Sequence, residues 1–375
     1  MKSVYFFLGC LFCCTLLEAQ SVYKGVILDA TNSQPIAYVN IGILARSHGT
    51  VSNEKGLFDL GLELSDYSSA DTLQFSSLGY KTVKKTITDL QLFEGARQVI
   101  RLEPEAIPLE EVVLSSKRRF FEEQTVGYPF EDARIVGYWK DNVALGGELA
   151  TKINVKKGYR RLKSYSFHVL ENPSDSLLLR INIYKGKDGI PKTNISQKTI
   201  LHLLKTKNGR ITIDLIPYNI VVYDDFIVSM ELLQVYGKNI GLVLGANANE
   251  GISYKRYASQ ASWKRIRGSV MAYQLATEVV LSDKKVARKE KKRKKQGAQD
   301  KTVSGGVFFQ GKPLKDVTII NLNSLQKTST DANGRYLLRA IAGDVLEFSH
   351  PKMDNVLKEV TQKPFINASM QQHTP

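Results

Sequence analysis

The stretch PIAYVNIGILARSHGTVSNEKGLF, running from Pro35 to Phe58, decides the fold. Val39, Ile41 and Ile43 alternate with Tyr38, Asn40 and Gly42. That is the period of two a half-buried strand imposes, because successive side chains leave a pleated backbone on opposite faces. Asn53-Glu54-Lys55-Gly56 is turn chemistry, with Gly56 able to take positive φ at little steric cost before Phe58 re-enters the core. A hairpin follows. Outward from it, short alternating runs broken by Gly, Pro, Asn and Asp at intervals of about ten residues continue from Val22, and no long amphipathic helix interrupts them. The expected class is all-β, built of antiparallel sandwiches.

In order along the chain stand Gly25-Val26-Ile27, Pro35-Ile36, Val39-Asn40-Ile41, Gly49-Thr50, Asn53-x-x-Gly56-x-Phe58, Asp71-x-Leu73-x-Phe75-Ser76 and Leu78-Gly79-Tyr80. This succession resembles the carboxypeptidase regulatory-like domain over residues 22 to about 104, as found in Gram-negative envelope proteins. Leu109-Glu110-Glu111-Val112-Val113 resembles the strand that leads this family's domain into whatever follows. The resemblance implies a transthyretin-like, seven-stranded sandwich, known behind metallocarboxypeptidase catalytic domains and widespread without them. It also implies kinship with the N-terminal domain of TonB-dependent receptors, although nothing like a plug or long barrel follows here.

The same pattern returns near the C-terminus. Gly306-Val307, Pro313-Leu314, Val317-Thr318-Ile319, Thr328, Asn333-Gly334-x-Tyr336 and Asp344-x-Leu346-x-Phe348-Ser349 keep the order, and the proline-to-glycine interval is 21 in both copies. The step from turn glycine to Asp-x-Leu shortens from 15 to 10, so the loop holding Ser65 to Ala70 has no counterpart. His350-Pro351-Lys352 replaces Leu-Gly-Tyr. Residues 303–375 are therefore expected to form a degenerate second regulatory-like sandwich.

Between the copies, residues 117–283 are expected to form a jelly-roll-like sandwich. Leu179–Tyr184 and Arg210–Leu215 alternate, the second after the hairpin signal Asn208-Gly209. Ile220–Tyr223, Ile227–Val235 and Ile240–Leu244 are further strand candidates, and Ile195–Leu204 is expected as a short helix opened by Ser196. The whole reads as three consecutive β-sandwich modules, transthyretin-like, jelly-roll-like and transthyretin-like, after a signal peptide.

That peptide occupies residues 1–20: Lys2, an apolar run from Val4 to Leu17, and the small-residue junction Glu18-Ala19-Gln20. The run is shorter than the roughly 20 residues of a membrane span. Leu8-Gly9-Cys10 imitates a lipidation box, but the apolar run continues past the cysteine. All three cysteines, Cys10, Cys13 and Cys14, lie in this segment, so the mature chain is expected to hold neither disulfide nor thiol chemistry. Export to the periplasm or outer-membrane surface follows.

The net charge of +15 is segmental: residues 21–116 (domain one) carry 8 basic and 12 acidic groups, whereas residues 284–302 carry 10 and 2. The latter stretch, with its core Lys284–Lys295, has too few apolar residues to offset the entropy of ordering and reads as a solvated linker. Its expected partner is an anionic outer-membrane surface, each Lys or Arg adding about 1 kcal/mol near the head groups. An exported chain is not expected to meet nucleic acid.

Catalysis finds little to work with. A zinc carboxypeptidase needs His and Glu a few residues apart with a distant second His, and His48, His168, His202, His350 and His373 lack that spacing. There is no Gly-x-Ser-x-Gly elbow and no calcium-binding Asp ladder. Asp224-Asp225 and Glu122-Glu123 are adjacent pairs, and neighbours on a strand point to opposite faces. No catalytic residue, cofactor or metal is expected. Candidate ligand-binding residues are the aromatics Trp139, Tyr138, Trp263 and Tyr184, with Tyr257, on which sugars stack. The expected function is a non-catalytic binding or scaffolding protein whose partner is an envelope protein or glycan. The alternative is an envelope glycan hydrolase with two carboxylates facing each other in the middle domain.

Overall fold

A computed structural model describes residues 22–62, 66–91, 97–105, 119–131, 136–139, 144–186, 189–237, 241–248, 251–281, 285–288, 291 and 301–372. The expected signal peptide, the exit segment at 109–113 and most of the basic run lie outside these residues. The chain is β almost throughout, and no described helix is long and apolar enough to cross a membrane. It divides into two compact units. One comprises the chain up to Glu105 with the short segments 144–146 and 258–262; the other holds the rest.

In the first unit, β1 (Val22–Asp29), β2 (Asn40–Ile43), β3 (Gly49–Val51), β4 (Leu57–Gly61), β5 (Thr72–Ser76), β6 (Val83–Thr86), the helical turn α1 (Ile87–Gln91) and β7 (Gln98–Leu102) make two sheets. Their orders are β4-β1-β7 and β3-β2-β5-β6, with β7 parallel to β1. Ile27, Val39, Ile41, Ile43, Leu73 and Phe75 are fully buried between them. Phe58 meets Phe75 edge-on at 5.7 Å. At the turn, the Asn53 side chain accepts from Lys55 N–H at 2.9 Å and Leu57 N–H at 3.0 Å, and Gly56 sits at φ +69°.

The second unit begins with β8 (Phe121–Gly127), β9 (Val136–Trp139), β10 (Glu148–Ile153), β11 (Arg160–Glu171), β12 (Ser176–Lys185), β13 (Ile200–Leu204) and β14 (Gly209–Asp214). It continues with β15 (Val221–Val222), β16 (Phe226–Tyr236), β17 (Leu242–Asn247), β18 (Ser253–Arg256), β19 (Lys264–Ile266), β20 (Val270–Met271) and β21 (Gln274–Val280). A six-stranded sheet runs β13-β12-β16-β10-β18-β19, and an eight-stranded one is built on β20-β17-β11-β21-β8, with β9, β14 and β15 alongside. Tyr165 and Tyr273 pack edge to face at 5.3 Å in the interior. The short helix expected at Ile195–Leu204 is not formed. Ile200–Leu204 instead pairs antiparallel with β12, Leu177 opposite Leu204 and Ile181 opposite Ile200. The neighbouring ladder satisfies backbone groups and seals Ile200 and Leu204 in the core, which outweighs local propensity.

The unit ends with β22 (Lys301–Phe309), β23 (Lys312–Pro313), β24 (Thr318–Asn321), β25 (Lys327–Ser329), β26 (Arg335–Ala340), β27 (Val345–Ser349), β28 (Val356–Glu359) and β29 (Ala368–Met370). This sandwich repeats the strand order of the first, with β26, β22 and β29 standing as β4, β1 and β7 do and β25-β24-β27-β28 as β3-β2-β5-β6 do, and it adds the two-residue strand β23 beside β22; β29 is parallel to β22. The likeness extends to single hydrogen bonds. Val39 N–H donates to Ser52 Oγ at 2.8 Å, and Val317 N–H to Thr330 Oγ1 at 2.9 Å. Asp331 takes the role of Asn53, accepting from Asn333 N–H at 2.9 Å and Arg335 N–H at 2.8 Å, and Gly334 shares φ +69° with Gly56. Met353 takes the place of Tyr80: each bridges to the last strand's flank, at Gln372 and Pro104 respectively.

Candidate functional site

Of the four aromatic candidates, the structure brings two together. Tyr184 on β12 and Trp263 just before β19 meet edge to face with centroids 6.2 Å apart. Tyr138 and Trp139 lie on β9, opposite Val243 and Leu242 of β17 in the eight-stranded sheet. The side chains of Tyr138 and Trp139 lie outside the described residues.

Tyr184 and Trp263 border a charge cluster that strand register assembles. Arg180 on β12 stands opposite Glu231 on β16, Glu231 opposite Glu148 on β10, and Glu148 opposite Arg256 on β18. Directly opposite residues point to the same face, so the four form one row, cation, anion, anion, cation. Arg180 grips Glu231 through Nε and Nη2, both at 2.8 Å, and Asn182 Nδ2 donates to the same carboxylate at 2.9 Å. Glu148 accepts from Arg256, from Ser229 Oγ at 2.6 Å and from the Tyr184 hydroxyl at 3.1 Å. The Arg256 guanidinium lies over the Trp263 ring, 5.0 Å from its centroid.

Burial pushes the Glu148 carboxyl above its ordinary range, against the pull of Arg256 and with a further push from Glu231. Burial acts the same way on Glu231, but the charge and hydrogen bonds of Arg180, joined by Arg256 and Asn182, together hold that carboxyl low. Both carboxylates are 0 % exposed. Two facing carboxylates do occur in the middle sandwich, then, but each is bonded to its own arginine and closed to solvent. An inverting or retaining glycosidase needs such a pair across an open groove. The row is neutral in sum, and its bonds answer the high cost of burying charge.

The adjacent carboxylate pairs are likewise committed. Asp225 binds Lys152 at 3.0 Å and Asp224 binds Lys157 at 3.7 Å, while Glu122 binds Lys285 at 2.9 Å and Glu123 binds Lys163. Among the described residues no three His, Cys, Asp or Glu side chains converge as a metal site would require.

A concave site that sequence reasoning missed opens on the eight-stranded sheet, where Phe167 and Ala272 also border it. Ser166 and His168 on β11, Arg210 on β14 and Gln274 on β21 project there beside Pro129 and Phe130, around a shallow depression of about 120 Å³. The register fixes this: Arg210 is opposite His168, and Gln274 opposite Ser166. Phe130 stacks on the His168 ring at 4.3 Å with 17° between planes. Gly245 makes room for Phe130, since a β-carbon there would stand 2.4 Å from the ring. Asn247 holds the 129–131 segment, accepting from Glu131 N–H at 3.2 Å and donating to the Pro129 carbonyl. Arg210 Nη2 donates to Gln274 Oε1 at 2.7 Å.

No curated protein matches the chain in sequence. Among solved structures, the cysteine protease and lectin-like domains of Cwp84, a surface layer associated protein of Clostridium difficile, are 11 % identical with a TM-score of 0.31. That match covers 69 % of this chain, which spans 58 % of that structure. BcpA, the major pilin subunit of Bacillus cereus, is 9 % identical with a TM-score of 0.16, over 94 % of this chain and 99 % of that one. The group B streptococcus pilus 2b backbone protein is 10 % identical with a TM-score of 0.15, over 62 % and 95 %. Scores this low do not establish a shared fold. The family comparison is specific, and it falls on the sandwich whose turn and strand residues were described first: residues 23–114 match the model of the CarboxypepD_reg-like domain.

Proposed function

We propose that this protein is an exported, non-catalytic binding or scaffolding protein of the bacterial envelope, with its sandwiches serving as interaction modules for an envelope protein or glycan. The observation that carries this is the CarboxypepD_reg-like match at residues 23–114 together with a second sandwich of the same strand order. A small sandwich repeated within one chain multiplies surfaces without adding chemistry. The two buried carboxylates of the middle sandwich, Glu148 and Glu231, support the same reading, because each is spent on an arginine. The leader-like residues 1–20 support export, and the run Lys284–Lys295 suits a tether resting on anionic head groups.

The hydrolase alternative draws on Glu148 and Glu231, and their burial beneath arginines weighs against it. The test is expression in a Gram-negative host with mass analysis and fractionation, followed by pulldown from native envelope. A chain cleaved after Ala19 or Gln20 that retrieves envelope components is expected; an uncleaved cytosolic chain overturns the proposal. Salt should weaken the envelope association steeply if the basic run contributes.

A further inference from the structure

We propose that the depression walled by Phe130, His168, Arg210 and Gln274 binds a saccharide carrying a carboxylate. The proposal rests on the binding reading above and names a site and a ligand class for it. Among the described residues Arg210 has no carboxylate partner, and no acidic side chain lines the depression. Its Nη2 also donates to Gln274 Oε1 at 2.7 Å, and the planar guanidinium keeps further N–H donors with which to meet a carboxylate through two parallel bonds.

Around it stand the His168 imidazole, the Gln274 amide nitrogen and the Ser166 hydroxyl, which also bonds Thr212 Oγ1 at 2.9 Å, on two neighbouring strands, β11 and β21. Adjacent strands lie about 4.8 Å apart, a spacing that lets separate side chains reach separate hydroxyls of one sugar ring. The apolar wall comes from Pro129 and Phe130, which suits the C–H face of that ring. The wall is built rather than incidental: Phe130 is seated over Gly245, stacked on His168, and fixed by Asn247. A single cation among neutral donors selects a singly charged sugar acid over a polyphosphate, which several cations would have to neutralise.

The experiment titrates the full chain with methyl glucuronide and, separately, methyl glucoside, read by saturation-transfer NMR and calorimetry. The glucuronide is expected to bind at least tenfold more tightly. Arg210→Gln should remove that preference, and Arg210→Lys, which keeps the charge and loses the fork, should remove most of it. Ser166→Ala gives a second readout within the depression and should weaken both sugars. Lys292→Gln with Lys294→Gln in the basic run, whose proposed contact is the head groups and not this depression, should leave the binding of both sugars unchanged, so that non-specific attraction is separated from the site. Equal binding of the two sugars, no binding of either, an unaffected Arg210→Gln variant, or loss in the basic-run variant overturns the proposal. If that happens while the envelope pulldown still retrieves partners, the broader binding function stands without this site.

Discussion

Gly42 lies so close to the carbonyl oxygen of Ser259 that a β-carbon on it would stand 2.3 Å from that atom. The segment 258–262, distant in sequence, is held on the β3-β2-β5-β6 sheet of the first unit by this close approach. Gln260 carbonyl accepts from Ala45 N–H at 3.0 Å, and the Gln260 side chain exchanges bonds with Gln74 at 3.0 Å and Ser76 at 2.7 Å. The glycine inside β2 therefore marks a backbone approach rather than a weak strand.

Substituting Gly42→Val should expel the segment or strain it, at a cost of about 1–3 kcal/mol, the usual penalty for overpacking. Hydrogen exchange is expected to rise at residues 258–262 far more than at Ile27 in the core. Unchanged exchange at those residues would show that the contact does not hold them.

Arg161 on β11 pairs with Glu347 on β27 at 3.1 Å, with side chains 3 % and 6 % exposed. Removing one partner, as in Arg161→Met alone, leaves a buried charge and should cost about 3–5 kcal/mol. The double variant Arg161→Met with Glu347→Leu should recover most of it. A denaturation-based double-mutant cycle decides the matter, and additive losses would contradict the pairing.

Asn53 and Asp331 hold equivalent turns, so Asn53→Ala and Asp331→Ala should each cost about 0.5–1.5 kcal/mol through lost bonds to exposed backbone N–H groups. Denaturant midpoints of the two variants should fall by comparable amounts. A large cost at one and none at the other would mean that the two sandwiches do not use the turn alike.

Asp29 supplies a pH-dependent contribution. The Thr31 hydroxyl and N–H, against some desolvation and with help from the Tyr80 hydroxyl and Asn32 N–H, hold its carboxyl below the usual range. A carboxyl depressed in the folded state stabilises fully above its unfolded value of about 3.9, and that stabilisation is lost as pH falls through the folded value. The stability gap between the native chain and Asp29→Asn should be flat at neutral pH and narrow below about pH 4. A gap that widens on acidification would reverse the assigned sign.

Local pattern was enough to place the sandwich class and the duplication. A period of two and a turn glycine 21 residues after a proline report steric demands that act within a few residues, so they are written wherever the same turn is built. Those same rules misjudged Ile200–Leu204, because an apolar run of that length suits helix or strand until a neighbouring ladder claims it.

Register across strands has no such local signature, and it is register that made the sites. Glu148 and Arg256 are 108 residues apart in the chain, yet they sit opposite one another in a row with Glu231 and Arg180. Read along the chain, Tyr184 and Trp263 are aromatics with nothing to join them to this row, and Ser166, His168, Arg210 and Gln274 are unremarkable polar residues on separate strands. Which of them meet depends on how long-range pairing aligns the strands, and only the folded molecule decides that.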